Sequence, residues 1–308
     1  MMPLPKLSNY IFKLISTKSS FQKKKILNFH KTLTSKDLIE NEKYLQIYKN
    51  FLKKNNISIS SAVDSYIEMC NDMFSCHIKF LRTGKYPVYD VKEAKRRVYN
   101  NQKKMKSYMV GLAISQFFWK THYKMFKHLQ FFVKNSKSSK SYLEIGPGHG
   151  LFSYCSYKNL KNLKSFDIID ISKTSLNLTK SFLSSFLKKN KVNIKYILGD
   201  FLKKKIDMKY DIIVCGEVLE HVSDPIKFMK KIHHHLNNKG KVFISTCINC
   251  PAIDHVNQWH NIGEIRKIFK KSKLDILNEK VLPVEKVSYN KALKNKITVN
   301  YSAILKKL

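Results

Sequence analysis

The chain has 308 residues, 43% of them apolar, with 58 Lys and Arg against 22 Asp and Glu, for a formal net charge of +36. That apolar share supports a real core in one large domain or two ordinary ones, which excludes a chain disordered throughout. Lysines interrupt every apolar stretch, as in 114–132, so no window reaches the roughly 18 consecutive apolar residues of a membrane helix, and no membrane insertion is expected.

The cations are nearly all lysine, with arginine only at Arg82, Arg96, Arg97 and Arg266, and they are spread along the chain beside many Asn, Ile, Phe and Tyr. A/T-rich codon usage accounts for such a mixture more readily than a selected polyanion partner, which stays as the alternative; either origin gives a positive field that favours acidic surfaces.

Residues 1–34 are basic and partly apolar, poor in arginine and without a small-residue cleavage pattern, which reads as an ordinary basic N-terminal segment rather than a transit peptide. From 35 to 132 the pattern is helical, with apolar residues three and four apart at Ala62, Tyr66, Met69 and Met73 and again at Met109, Leu112 and Phe117. Gly84 and Pro87 predict a turn at 83–89 that splits this half into two helical groups, and 35–136 is expected to form a helical cap over a substrate site. The small polar run 134–140 is a linker.

Beyond it, short apolar strands alternate with amphipathic helices, at 142–145, 165–169, 194–198, 211–215, 241–246, 274–281 and 298–305. This predicts an α/β fold from 141 to 308: a doubly wound, mostly parallel seven-stranded sheet preceded by an α-helical N-terminal region. The last two candidates adjoin without a long helix, so they are expected to pair antiparallel at one edge.

The first strand runs into Leu143-Glu-Ile-Gly-Pro-Gly-His-Gly150, where Gly146, Gly148 and Gly150 let the backbone turn sharply beside a helix N-terminus that favours an anion. The second strand ends at Asp170-Ile171-Ser172 and the third at Gly199-Asp200-Phe201. Each acid alone reads more often as a helix cap. Glu144, Asp170 and Asp200 at the ends of three successive strands are together expected to face the carboxyl edge of the sheet, where open α/β folds bind ligands.

With 210–225 and 240–245, these motifs resemble the class I S-adenosylmethionine-dependent methyltransferase superfamily over about half the chain. The resemblance implies S-adenosyl-L-methionine as cofactor, held by Glu144, Gly146, Gly148, Gly150, Asp170, Ile171, Asp200 and Phe201, with Asp170 on the ribose and Asp200 by the adenine. One departure is Lys239-Gly240-Lys241 in place of a glycine pair, which should alter only a turn.

After the fourth strand come Glu217, Glu220 and His221, spaced so that one helical turn would gather them on one face as a catalytic cluster. Here the chain is similar to the ubiquinone-biosynthesis O-methyltransferases and the small-RNA 2′-O-methyltransferases, whose corresponding residues bind a divalent metal. His255 stands where the RNA group has a further histidine, so Glu217, Glu220, His221 and His255 form a candidate set for Mg, Mn or Zn. Against it, the same sequence pattern occurs in methyltransferases without metal, where the histidine orients or deprotonates the acceptor.

Cys247-Ile-Asn-Cys250 has zinc-knuckle spacing, but no second pair follows, and the six cysteines suit reduced thiols in a cytoplasm. His233, His234 and His235 read as a solvated helix end. Tyr108, Trp119, His122, Tyr123, His255 and Trp259 are candidates for acceptor contact, although the aromatic stripe at 108–123 serves equally as a packing face. The expected function is a cytoplasmic methyltransferase acting on oxygen of a small molecule. The alternatives are an RNA ribose 2′-O-methyltransferase, with nucleic acid as partner, and a non-catalytic scaffold that keeps the fold.

Overall fold

A computed structural model of the chain describes residues 3–87, 90–186 and 192–308. Helices begin earlier than expected: α1 (Lys6–Lys18) and α2 (Ser20–His30) occupy the stretch read as a basic segment. Leu7, Ile11 and Ile15 recur every four residues and are buried, a stripe at helical spacing. The start of α1 is tied to α3 (Ser35–Lys54), where Glu42 accepts from the Leu7 and Ser8 amides at 2.8 and 2.9 Å and from the Ser8 hydroxyl at 2.6 Å. A carboxylate there satisfies two amides that have no partner within the helix.

Helix α4 (Ile59–Thr83) stops at Gly84, which takes φ 70°, at the expected turn; Tyr89 at the far end of that turn lies outside the described residues. A short helix α5 (Val91–Ala94) runs into a π-helical turn, Lys95–Tyr99, followed by α6 (Gln102–Phe118) and α7 (Lys120–Lys134). Helices α4 and α6 approach closely at Gly111, where an added Cβ would sit 2.6 Å from the Ser65 carbonyl oxygen. Among the described residues no helix is long and apolar enough to cross a membrane.

The seven strands are β1 (Ser141–Ile145), β2 (Ser165–Asp170), β3 (Asn193–Leu198), β4 (Tyr210–Gly216), β5 (Leu236–Ile248), β6 (Leu274–Pro283) and β7 (Val299–Lys307). Their order is β3-β2-β1-β4-β5-β7-β6; the first five are parallel, and β7 inserts antiparallel between β5 and β6. This is the doubly wound, mostly parallel sheet that the alternation of strands and helices predicts. Strand ends fall close to the expected limits except in β5, whose pairing jumps from Tyr210–Leu236 to Ile212–Lys241. Residues 237–240 therefore bulge out of the ladder, and Lys239-Gly240-Lys241 falls in and beside that bulge rather than in a plain turn.

Alternation along the strands divides the core. Tyr142, Phe166, Ile168, Ile212, Val214 and Phe243 pack with α8 (Leu151–Asn159), α9 (Lys173–Ser184) and the N-terminal helices. Leu143, Ile145, Ile169, Ile213, Val242 and Ile244 pack with α10 (Pro225–His235) and α11 (Ile262–Lys271). The connection from β6 to β7 holds only the six-residue α12 (Tyr289–Lys294), which is why those strands pair directly. The carboxyl ends of β1 to β5 are thus left facing α4, the 91–99 segment and α6, and the cavity lies between them.

Candidate active site

The cavity encloses about 220 Å³. Its floor is the loop after β1, where Gly146, Gly148 and Gly150 all have positive φ, of 69°, 56° and 77°. Gly146 has a second constraint: a Cβ there would meet Val218 Cγ2 at 2.4 Å. Gly146 and Gly148 line the cavity, whereas Gly150 caps α8 and does not.

Of the three acids, Asp170 and Asp200 line the cavity and Glu144 does not. Residue 144 shares the strand face of Tyr142, so its carboxylate is buried under the loop, accepting from the Tyr142 hydroxyl at 2.7 Å and the Ser153 hydroxyl at 2.5 Å. Burial lifts its pKa to about 7. Asp170 is also buried and raised to about 6 by loss of solvent, against the opposing hydrogen bond from the Ser172 amide at 2.7 Å. Asp200 accepts from the Leu202 amide at 2.9 Å. Ile171 stays 37% exposed at the cavity, an unusual place for a large aliphatic side chain, while Phe201 is held beside Phe228 at a ring separation of 5.3 Å.

Glu217, Glu220 and His221 are gathered differently from the expected helical turn. Glu217 takes a left-handed φ of 54°, and only Leu219–His221 form a single 3-10 turn. Glu217 and His221 line the cavity; Glu220 lies behind them, with Thr246 donating to its Oε2 at 2.8 Å. Burial raises both carboxyl pKa values, joined by repulsion from Glu220 at Glu217 and from Asp254 at Glu220. Glu217 Oε1, Glu220 Oε1 and Asp254 Oδ1 are buried without a hydrogen-bond partner.

The loop after β5 folds back over this turn. The Glu220 carbonyl accepts from the Val256 and Asn257 amides, both at 3.0 Å, which brings Asp254 and His255 against His221. His221 Nδ1 lies 3.0 Å from the Asp254 carbonyl and His255 Nδ1 lies 2.6 Å from the Cys250 carbonyl. A carbonyl only accepts, so each Nδ1 carries a hydrogen, and Nε2 is the nitrogen left free in the neutral ring. The two rings meet edge to face at 4.7 Å. Ligand atoms of Glu220, His221 and His255 lie within 4.8 Å of one another. Cys247 and Cys250, which no second cysteine pair follows, meet His255 within the same distance.

Tyr108 and His122 line the cavity, His122 with its pKa pushed down to about 4 by burial and its Nδ1 2.7 Å from the Ser115 hydroxyl. Trp119, Tyr123 and Trp259 do not line it. Trp119 donates to the Tyr66 hydroxyl at 2.6 Å, Tyr123 donates to Asp37 at 2.6 Å, and Trp259 is buried in the core with α11. His235 is buried at the end of α10 with Nδ1 on the Met208 carbonyl, so the triple-histidine run is only partly the solvated end expected. Sequence reasoning missed Tyr99, which donates to Asp254 Oδ2 at 3.1 Å beside the His221 ring; nothing in the irregular segment after Pro87 marked it.

A family model for a methyltransferase domain matches residues 118–280. The ubiquinone biosynthesis O-methyltransferase of Rickettsia felis is 24% identical over an alignment of 186 residues that covers 54% of this chain and 73% of that protein. The N-methyltransferase NodS from Bradyrhizobium japonicum, solved with S-adenosyl-L-homocysteine, superposes with a TM-score of 0.53 at 14% identity over 68% of this chain and 97% of its own. Mitomycin 7-O-methyltransferase superposes at 0.54 and 10% identity over 81% and 72%, a match too long to be confined to 141–308. At such identities the two superpositions speak for the fold. The chain belongs to the methyltransferase-domain family. Its activity is that of a class I S-adenosylmethionine-dependent methyltransferase.

Proposed function

We propose that the chain transfers the methyl group to a hydroxyl oxygen of a small, largely apolar acceptor. One observation carries this reading: in a chain with 58 Lys and Arg, none of them lines the cavity among the described residues. The wall facing the strand ends is instead Met73, Met105, Tyr108, Met109, Leu112 and Phe152. A polyanionic acceptor such as RNA draws its affinity from cations at its phosphates, whereas an apolar ring or chain gains from thioether and aromatic surface. Oxygen as the target draws support from the similarity to ubiquinone biosynthesis O-methyltransferases.

The residues present fit the cofactor. Gly146 and Gly148 leave the loop bare of side chains, Asp170 offers a buried carboxylate to a diol, Asp200 an acceptor to an amino group, and Ile171 and Phe201 an apolar flank. In this reading Gly150 and Glu144 act one step back, by starting α8 and by bracing the loop from below. S-adenosylmethionine supplies an activated methyl on a sulfonium, so the chain needs no covalent nucleophile. Its own tasks are to align the acceptor, exclude water and take up a proton. The helices of 35–136 cover the cavity, and His221, with Nε2 unprotonated and Nδ1 fixed on Asp254, is the group that accepts the proton.

A second reading of the same cluster is favoured by the partnerless oxygens of Glu217, Glu220 and Asp254. Buried carboxylates beside two imidazoles whose Nδ1 atoms rest on carbonyls make a donor set that fits a divalent cation, held by Glu217, Glu220, His221 and His255. Such an ion would supply Lewis acidity toward the acceptor hydroxyl.

Incubation with methyl-labelled S-adenosylmethionine and a cell extract, followed by separation of lipid-like metabolites, RNA and protein, tests the proposal. Label in the organic-soluble fraction is expected. Label in RNA, with uptake falling steeply as salt rises, would establish the RNA reading instead. Cofactor binding with no label transferred would leave the scaffold reading.

A further inference from the structure

We propose that Cys247, Cys250 and His255 form a binding site for a thiophilic divalent cation of the zinc class, beside the carboxylate and imidazole cluster. The inference shares His255 and Glu220 with the metal reading above, so the two are alternatives for one ion; it stands on separate observations, and its test reads a different signal.

The first observation is the turn itself. Asn249, between the two cysteines, takes a left-handed φ of 50°, which folds the end of β5 back on itself. Both thiols are free and buried, and one ligand atom from each of Cys247, Cys250 and His255 lies within 4.8 Å of the others. Zinc bonds of about 2.3 Å to sulfur place two tetrahedral sulfurs roughly 3.8 Å apart, so a modest contraction suffices.

The second observation is that the third donor is already fixed. His255 Nδ1 lies 3.8 Å from Cys247 Sγ, held there by its hydrogen bond to the Cys250 carbonyl at 2.6 Å; to ligate the ion it exchanges that bond for the metal, its proton passing to Nε2, while the Cys250 amide donates to the Tyr86 hydroxyl at 2.7 Å. An ion would meet donors held by the fold rather than gather them from mobile side chains.

The third observation concerns the fourth position. Glu220 is buried, its Oε1 has no partner, and it belongs to both adjoining donor sets, one with Cys247 and Glu217 and one with His221 and His255. It is the nearest group to complete a set of two sulfurs, one nitrogen and one oxygen. Sulfur donors select zinc over magnesium or calcium, which prefer oxygen alone. Binding releases one proton from each thiol to solvent, and the two thiolates offset the charge of the ion in a buried place. The same loop supplies the Asp254 carbonyl that orients His221, so the ion would hold the base in place.

The competing explanation is a pair of inert core thiols. Cobalt(II) titration of the chelator-treated, phosphine-reduced chain separates the two. The proposal expects a strong near-ultraviolet thiolate-to-cobalt band that saturates at one equivalent and is erased by one equivalent of zinc. It expects one zinc per chain by elemental analysis after gel filtration, and loss of both signals in Cys247→Ser and in Cys250→Ser. Cobalt giving only weak visible bands would mean an ion on the carboxylates and imidazoles, and would overturn the thiolate site. No bound cobalt would overturn it too. Because the native chain is read directly, a variant that misfolds does not blunt the test. Methyl transfer, assayed separately, stands or falls independently of the band.

Discussion

Replacing Gly146 with alanine imposes two separable penalties. The residue sits at φ 69°, where a side chain costs about 1–2 kcal/mol relative to glycine. The new Cβ would also fall 2.4 Å from Val218 Cγ2, with the other Val218 carbons at 3.7 and 3.8 Å, so one methyl group carries the clash. Overpacking of this kind costs about 1–3 kcal/mol, giving a total near 2–5 kcal/mol. Val218→Ala removes the offending methyl, so Gly146→Ala combined with Val218→Ala should recover the packing part and leave only the backbone part. Urea denaturation of the native chain, both single variants and the double variant gives the coupling directly, expected at about 1–3 kcal/mol in favour of the pair. Equilibrium dialysis with labelled cofactor on the same four proteins shows whether the loop also loses affinity. Strictly additive losses, or a Gly146→Ala chain within about 0.5 kcal/mol of native, would refute the geometric argument.

Asp170→Asn should weaken cofactor binding by about 10- to 100-fold while leaving the melting curve nearly unchanged, since a hydrogen bond to a charged acceptor is worth about 1.5–3 kcal/mol; isothermal titration decides it. His122 is neutral in the fold, with its pKa lowered by burial to about 4, so the unfolded chain binds more protons below about 6.5 and stability falls as pH drops through that window. Relative to His122→Gln, the native chain should lose about 2 kcal/mol between pH 7 and about pH 5 by urea denaturation. The comparison cancels Glu144 and Asp170, whose raised values work in the opposite sense over the same range. Glu42→Ala strips three donors at the start of α1 of their acceptor and should cost about 1–3 kcal/mol, with faster amide exchange at Leu7 and Ser8.

The strands and the two cavity acids were legible because they depend on local rules. A short apolar run bounded by turn residues is a strand wherever it lies, and Asp170 and Asp200 follow such runs directly. Glu144 was equally readable in principle: a period of two puts it on the side of Tyr142, under α8 and away from the cleft. The aromatic residues of α6 and α7 were not readable, since a helix offers several faces and the partner chooses among them. Trp119 turns to Tyr66 and Tyr123 to Asp37, dozens of residues away in sequence, while Tyr108 turns to the cavity. Long-range folding likewise hid the meeting of His255 with Cys247 and Cys250, because the loop returns only when the Glu220 carbonyl collects two of its amides. In α1, the basic character of 1–34 drew attention away from a buried stripe at Leu7, Ile11 and Ile15.

The cavity lining, free of lysine and arginine among the described residues, separates two roles that a basic protein usually merges. The outward lysines set up a long-range field that ionic strength can extinguish, so salt should govern which acidic neighbours the molecule lingers beside. Capture of a neutral guest by thioether and aromatic walls would proceed at nearly the same pace in dilute or concentrated buffer.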